Sequence, residues 1–567
     1  MPDDRWWQDG VLYQIYPRSF ADSNGDGVGD IRGISQRLDY LRWLGIDGVW
    51  INPVMDSPNA DWGYDVADYK AVHPELGTLE DVDELVAEAG KRGIRIIFDI
   101  VPNHTSDQHA WFQDALKARN ARYRDWYVWA DSKPDGSPPN NWQSVFGGER
   151  AWEYHEPTGQ FYLHNFLKQQ PDLNWWNDEV REEFDDILRF WFDRGVAGFR
   201  IDVAHALVKD QELRDNLPAT DDDPERIRQI GQRAMYNMNR PEVHEVYRRW
   251  RKLCDEFDPK RVLIGETFVL DLEQMATYYG SGTDELNLCF NFPFALAQFD
   301  MDTLREIVET SDKLIPPDAW PVWFASNHDV LRYPTRWCEG DPAKVRAVLL
   351  MLLTLRGTAL LYYGDEIGMT HPELSLEDVQ DPVGKRHRAS RPGRDPGRTP
   401  MHWSAEPRAG FTAPSAKPWL PLGDYEKCNV EDQWGDPSSM LCLCRDLVAL
   451  RKRSRDLRRG AYERVELSGI GWAWRRGAST LVAMNWSDGN AAVDGVSGRI
   501  LISTNRARDG HEVTRGIELA PWEAVVMEAP RDRAGELQGR VVTGRHRGKS
   551  VGIGGEGSQI AVGWRGS

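Results

Sequence analysis

The sequence predicts an α/β protein: a (β/α)8 TIM barrel with an inserted subdomain after strand 3 and a C-terminal antiparallel β domain. Three observations carry this reading. Eight apolar, β-prone runs alternate with helical patterns through the first two-thirds of the chain. Several of these runs end in a carboxylate, and closed barrels gather their chemistry at the C-terminal ends of the strands. From about Gly460 the pattern changes to short alternating strands.

In chain order the expected barrel strands are Val11–Tyr16, Gly48–Asn52, Ile94–Val101, Val196–Asp202, Val262–Glu266, Leu286–Asn291, Val322–Ser326 and Ala359–Tyr363. Apolar residues at helical spacing predict helices over Gly33–Leu44 and Leu79–Arg92. Ala347–Leu355 reads as a buried helix, too short to cross a bilayer. Between Pro102-Asn103-His104 and the fourth strand lie roughly ninety residues rich in aromatics, proline and asparagine. A connection of that length is functional or a small domain of its own. Residues 105–171 are therefore read as a subdomain overhanging the barrel mouth, with 1–104 and 172–455 forming the barrel. Residues 456–530 form the β domain, with strands at Tyr462–Leu467, Trp472–Arg475, Thr480–Asn485, Arg499–Ser503 and Ala524–Met527. The Gly- and Arg-rich segment 531–567 reads as a disordered tail.

Bulk composition removes whole classes of function. With 28% charged and 41% hydrophobic residues, the 567-residue chain is an ordinary folded protein. Its net charge of -20 opposes nucleic acid and anionic membranes as partners. Met1-Pro2-Asp3-Asp4-Arg5 lacks a signal-peptide pattern, and six cysteines show no metal-ligand spacing, so a cytoplasmic location is expected. Most of the 25 tryptophans are expected in the core, with some left as flat platforms for sugar rings.

Three stretches carry the chemistry: Gly198-Phe199-Arg200-Ile201-Asp202, Gly265-Glu266-Thr267 and Asn327-His328-Asp329. Each sets an acid at the end of an apolar strand, which suits glycosyl transfer around one sugar carbon. Asp202 is the expected nucleophile. Arg200 lies two residues earlier on the same strand face and should lower its pKa. Glu266, at an apolar rim near another acid, should have a raised pKa suited to a proton donor. Asp329 could hold sugar hydroxyls or stabilise positive charge.

These stretches, with Tyr13-Gln14-Ile15-Tyr16-Pro17-Arg18-Ser19-Phe20, Asp99-Ile100-Val101-Pro102-Asn103-His104 and Gln170-Pro171-Asp172-Leu173-Asn174-Trp175, resemble the α-amylase superfamily of retaining glycosidases. Within it the likeness is to the oligo-1,6-glucosidase and α-glucosidase branch, over about residues 5–530. The resemblance implies Asp202 as nucleophile, Glu266 as acid/base and Asp329 as transition-state stabiliser. It implies that Tyr64, Asp65, His104, Arg200 and His328 hold the terminal glucose, with Asp65 at the pocket floor. Phe146, Phe166 and Gln170 on the overhang, and Arg394, complete the expected substrate contacts.

The loop Asp22-Ser23-Asn24-Gly25-Asp26-Gly27-Val28-Gly29-Asp30 has oxygen ligands at alternate positions, as EF-hand-type calcium loops do, without the closing Glu. The resemblance implies one structural Ca2+ held by Asp22, Asn24, Asp26, the Val28 carbonyl and Asp30, with no organic cofactor. Val203, directly after the nucleophile, tracks α-1,6 over α-1,4 activity in the resembled branch. Ala204-His205 departs from the Ile-Asn or Ala-Asn found there. The expected protein is an exo-acting α-glucosidase, monomeric or homodimeric, acting on short oligosaccharides or disaccharides. The alternative is a transglucosidase, or a sucrose- or trehalose-active enzyme on the same machinery. A non-catalytic relative, as in transporter heavy subunits, would lack these acids and carry a membrane anchor.

Overall fold

The computed structural model describes residues 5–529 apart from 148, 388–392 and 470. The expected tail, 531–567, lies outside the described residues. Eight parallel strands form the barrel: β1 (Val11–Ile15), β2 (Gly48–Ile51), β3 (Arg95–Ile100), β4 (Gly198–Ile201), β5 (Val262–Gly265), β6 (Leu288–Cys289), β7 (Val322–Trp323) and β8 (Thr358–Tyr362). They pair in the order β6-β5-β4-β3-β2-β1-β8-β7, and a parallel bridge from Phe290 to Val322 closes the ring. All eight expected strands are present; the first seven are shorter than expected by one or more residues, and the eighth is shifted one residue toward the N-terminus.

Register decides which side chains meet. Asp99 on β3 is the cross-strand partner of Arg200 on β4, and Ile201 is the partner of Gly265 on β5. Asp202 and Glu266 each stand one residue past that last pair, so they emerge side by side. Gly265 leaves room for its neighbour: a Cβ there would come within 2.4 Å of the Leu286 side chain, which would have to shift.

The surrounding helices follow their sequence signals. Leu79–Lys91 begins with a capping box in which Thr78 and Asp81 satisfy each other's backbone N–H, and it buries Val82, Leu85 and Ala89. Pro342–Thr354 is buried on nearly every side, which explains its apolar run. The expected helix Gly33–Leu44 is instead two, Ile31–Gln36 and Leu38–Leu44, which meet at a non-helical Arg37. Eight tryptophans are among the largest fully buried side chains, and only Trp434 is notably exposed among the described residues.

Within the insertion, strands Trp129–Asp131, Gln160–Leu163 and Trp152–His155 form a three-stranded antiparallel sheet. A second excursion, 203–242, had no sequence signal. It carries a small hairpin of Leu217–Pro218 with Gln232–Arg233 and docks on the insertion. Asn141 accepts from the Asn216 backbone N–H at 2.8 Å, Trp142 donates to the Arg214 carbonyl at 2.8 Å, and Asn237 donates to Asn165 at 2.8 Å. The C-terminal domain is a six-stranded sheet plus the hairpin Ala491–Asp494 with Gly516–Leu519. That hairpin escaped the sequence reading because its strands are short and half exposed.

Candidate active site

Arg200 is fully buried at the C-terminal mouth of the barrel and serves three acids at once. Its Nη1 donates to Asp99 at 2.8 Å and to Asp202 at 2.9 Å, while Nη2 lies 2.6 Å from Glu266 Oε2. The backbone N–H of Val203 also donates to Glu266 Oε2, at 2.9 Å. Val203 reaches that position with φ +45°, left-handed backbone that a β-branched residue rarely adopts. Such strain clusters at functional sites.

Arg200 does pull the Asp202 pKa down as expected, but the net shift is upward. Burial is the larger influence and raises the carboxyl well above its ordinary range, while the one guanidinium divides its charge among three acids. Asp99 is likewise raised by burial, to about 7, against the pull of Arg200. Glu266 is raised by burial too. Burial thus raises the proton affinity of all three carboxyls that share the one cation.

On the opposite wall, His328 Nδ1 accepts from the Gln14 amide at 2.9 Å, so the neutral ring carries its proton on Nε2. Nε2 faces the Tyr64 hydroxyl at 2.6 Å and Asp329 Oδ2 at 3.2 Å. Tyr64 in turn donates to Asp99 at 2.9 Å. Asp329 is the most open of the three acids, with its side chain 28% exposed against 7% for Asp202 and 10% for Glu266. Burial pushes its pKa up, but His328, Arg394 and Arg398 together pull it well below the ordinary range. Arg398 donates to it at 2.9 Å and Arg394 at 3.2 Å.

Asp65 is not where the sequence reading placed it. It is fully buried, and its oxygens accept from Ser57 Oγ and from the backbone N–H groups of Ala60 and Asp61, each at 2.9 Å. Its carboxylate ties its own turn together, and no site residue other than Asp61, through its backbone, touches it among these bonds. The acid that meets the other site residues is Asp61, 2.6 Å from Arg394 Nη2 and 3.4 Å from the Gln170 amide. Asp381 braces Arg394 from behind at 2.7 Å. Sequence reasoning missed Asp61, Asp381 and Arg398. Only the nearness of Asp61 to Gly63-Tyr64-Asp65 pointed toward it.

The other expected contacts converge. His104, 1% exposed and held neutral by burial with its pKa down to about 4, donates from Nε2 to the Tyr64 carbonyl at 2.9 Å. Gln170 lies 3.1 Å from the same nitrogen. Phe166 packs against His104 with ring centroids 5.2 Å apart, and Phe146 lies 5.4 Å from Phe166 and beneath the Arg394 guanidinium. Val203 shares an apolar cluster with Phe166, Val145 and Met238, so insertion and second excursion meet beside the acids. Behind His104, buried Lys209 donates to Asp172 at 2.8 Å and to Asn103 at 2.7 Å, and Asn103 donates to His104 Nδ1 at 3.1 Å.

The 22–30 loop lies apart from these acids in the contacts made here. Asp22, Asn24 and Asp26 each accept from the backbone N–H two residues on, at 2.8–3.0 Å, and Asp30 accepts from Ser23. Among the described residues no three Asp, Glu, His or Cys side chains gather as a metal centre.

The comparisons agree with this geometry. The family described as the α-amylase catalytic domain matches residues 14–460. A probable α-glucosidase of Rhizobium meliloti is 44% identical over 82% of this chain and 86% of its own length. An oligo-1,6-glucosidase of Parageobacillus thermoglucosidasius is 36% identical over 92% of this chain and 98% of its own. The crystal structure of an α-glucosyl transfer enzyme superimposes with a TM-score of 0.86 at 39% identity, covering 93% of this chain and 99% of that one. A barrel with acids at the ends of β4 and β5 and after β7, matched over most of its length, places the chain in the α-amylase family of glycoside hydrolases.

Proposed function

We propose that the protein is an exo-acting, retaining α-glucosidase that releases terminal glucose from short oligosaccharides, with α-1,6 links favoured over α-1,4. The observation that carries this is the Asp61–Arg394–Asp329 array, an ion-paired wall closing one side of the acid cluster. A sugar chain reaching Asp202 and Glu266 past such a wall presents only its end. The lean toward α-1,6 links rests on Val203 and on the oligo-1,6-glucosidase likeness.

In this mechanism Asp202, aligned by Arg200 Nη1, attacks the anomeric carbon while Glu266 protonates the departing oxygen. Asp202 takes the negative charge because its bond to Arg200 is well directed, whereas Nη2 of Arg200 makes no directed hydrogen bond. The proton of the pair then rests on Glu266. Asp329, kept anionic by two arginines, stabilises the oxocarbenium-like transition state. Water activated by Glu266 releases α-glucose. Isomaltose, maltose, sucrose, trehalose and an aryl α-glucoside assayed side by side, with the first-formed anomer read by NMR, test this. β-Glucose as first product would overturn retention.

A second reading, transfer of the glucosyl group to a sugar acceptor, is favoured by the likeness to the α-glucosyl transfer enzyme. Oligosaccharide products outgrowing free glucose at high substrate would establish it. We also propose that the 22–30 loop takes one structural divalent cation, on the strength of its alternating oxygens, and that the protein is cytoplasmic, as its free cysteines suit. Among the described residues no helix is long and apolar enough to cross a membrane. Chelation should lower the Tm more than the activity per folded molecule, and an unchanged Tm would remove the ion.

A further inference from the structure

A cavity of about 320 Å³ lies at the N-terminal face of the barrel, the end opposite the acids. Its frame is made of residues that lead into the strands: Trp7 and Gln8 before β1, Arg261 before β5, Asn287 before β6 and Asp318 before β7. Arg261 and Glu266 flank the two ends of β5, so about 16 Å of extended chain separates the cavity from the proton donor. A ligand held here leaves the acids free.

The lining is cationic although the chain as a whole carries a net charge of -20. Arg5, Arg251, Lys260 and Arg261 face only two carboxylates, Asp255 and Asp318. Asp255 is already shared, 3.2 Å from Lys260 Nζ and 3.7 Å from Arg251 Nε. Two of the cations are fixed in place by backbone: Arg251 Nη1 donates to the Glu285 carbonyl at 2.9 Å, and Arg261 Nη2 to the Phe192 carbonyl at 3.0 Å. Arg261 Nη1 makes no hydrogen bond among the described residues and is not sealed from solvent. Two nearly buried neighbours share that state, Trp7 at 7% exposure and Asn287 at 6%. Asn287 Oδ1 accepts the Leu263 backbone N–H at 2.9 Å, which sets the amide and leaves its Nδ2 as a spare donor, as is the Trp7 indole N–H. Gln8 donates to the Asp318 carbonyl at 2.8 Å and keeps its own amide oxygen for a hydroxyl. Fixed donors around a positively charged hollow favour an oxyanion. The volume stands at the lower end for small organic ligands, about 300–1,000 Å³, and exceeds what a bare phosphate fills.

We propose that this cavity binds a small hydroxylated phosphate ester at a site separate from the acids, with Lys260 and Arg261 on the phosphate and Trp7, Asn287 and Gln8 on its remaining polar groups. Isothermal titration calorimetry of the full chain with glucose 6-phosphate and with inorganic phosphate tests this. The ester should bind more tightly than inorganic phosphate, and raising the ionic strength about tenfold should weaken both. Lys260 is half exposed and its one ion pair is with Asp255, so Lys260→Glu should fold. That variant should weaken the ester about tenfold or more, the worth of one charge-assisted hydrogen bond, and leave turnover of an aryl α-glucoside unchanged. Arg394→Gln, at the opposite face, should leave ester binding as it is. Binding lost in Arg394→Gln and kept in Lys260→Glu would put the ester at the acids and overturn the proposal. So would a wild-type protein that takes up neither probe at millimolar concentration. Inorganic phosphate bound as tightly as the ester would overturn the assignment of an ester. Should Lys260→Glu fold poorly, Lys260→Ala is read in its place, and an affinity equal to wild type would again refute the site.

Discussion

Two aspartates four residues apart do different work, and exchanging each for asparagine separates them. Asp61 makes a charge-assisted bond to Arg394 at 2.6 Å in the wall that closes the site. Such bonds contribute about 1.5–3 kcal/mol, and at 1.36 kcal/mol per decade Asp61→Asn should lower kcat/KM about 10- to 150-fold. Arg394 keeps Asp381 at 2.7 Å and Asp329 at 3.2 Å, so the fold should tolerate the loss. Asp65→Asn instead turns an amide N–H2 against one of the N–H and O–H groups its carboxylate accepts, from Ser57, Ala60 and Asp61. An unmet buried donor costs about 1–3 kcal/mol of stability, seen as a lower Tm. The assay is kcat/KM per folded molecule for an aryl α-glucoside, alongside thermal unfolding. A catalytic loss confined to Asp65→Asn, with Asp61→Asn active and less stable, would refute the placement of both residues.

Asp202→Ala should lose hydrolysis by several orders of magnitude, and added azide should restore turnover with a β-glucosyl azide product; undiminished hydrolysis would end the nucleophile assignment. Because burial raises the Glu266 pKa, activity should fall as rising pH strips its proton at a value above the ordinary carboxyl range. That basic limb should vanish in Glu266→Gln assayed with an activated aryl glucoside, and its survival would assign it elsewhere. Lys209→Met leaves Asp172 buried without its 2.8 Å partner and should cost about 3–5 kcal/mol of stability. Lys209→Met/Asp172→Asn should recover part of that Tm, and an unchanged Tm in the single variant would show the pair to be idle.

The barrel was legible because its strands are short, apolar and end in chemically distinctive residues. Asp202 and Glu266 could be paired from sequence because parallel register carries one strand's last residue beside the next. Asp61 could not. Its value depends on a turn with left-handed Asn59 and Trp62, and on Arg394, 333 residues away. The 203–242 excursion was equally silent: amide side chains such as Asn141, Asn216 and Gln232, which look like solvent-facing loop residues until they meet, dock it. The Asp202 titration was misread for a related reason. Sequence shows one arginine beside one acid, but neither the burial that outweighs it nor the two further acids that the same guanidinium must serve.

That division of a single cation gives the site a built-in alternation. On the roles proposed for them, an ionised Asp202 repels a second charge on Glu266 and holds the proton there, ready for the departing sugar. Once Asp202 is esterified to glucose it carries no charge, and Arg200 then acts on Glu266 with one competitor fewer. The Glu266 pKa drops at the step where a base is wanted. In the proposed mechanism the second half-reaction is thus prepared by the first, through the electrostatics of one shared guanidinium.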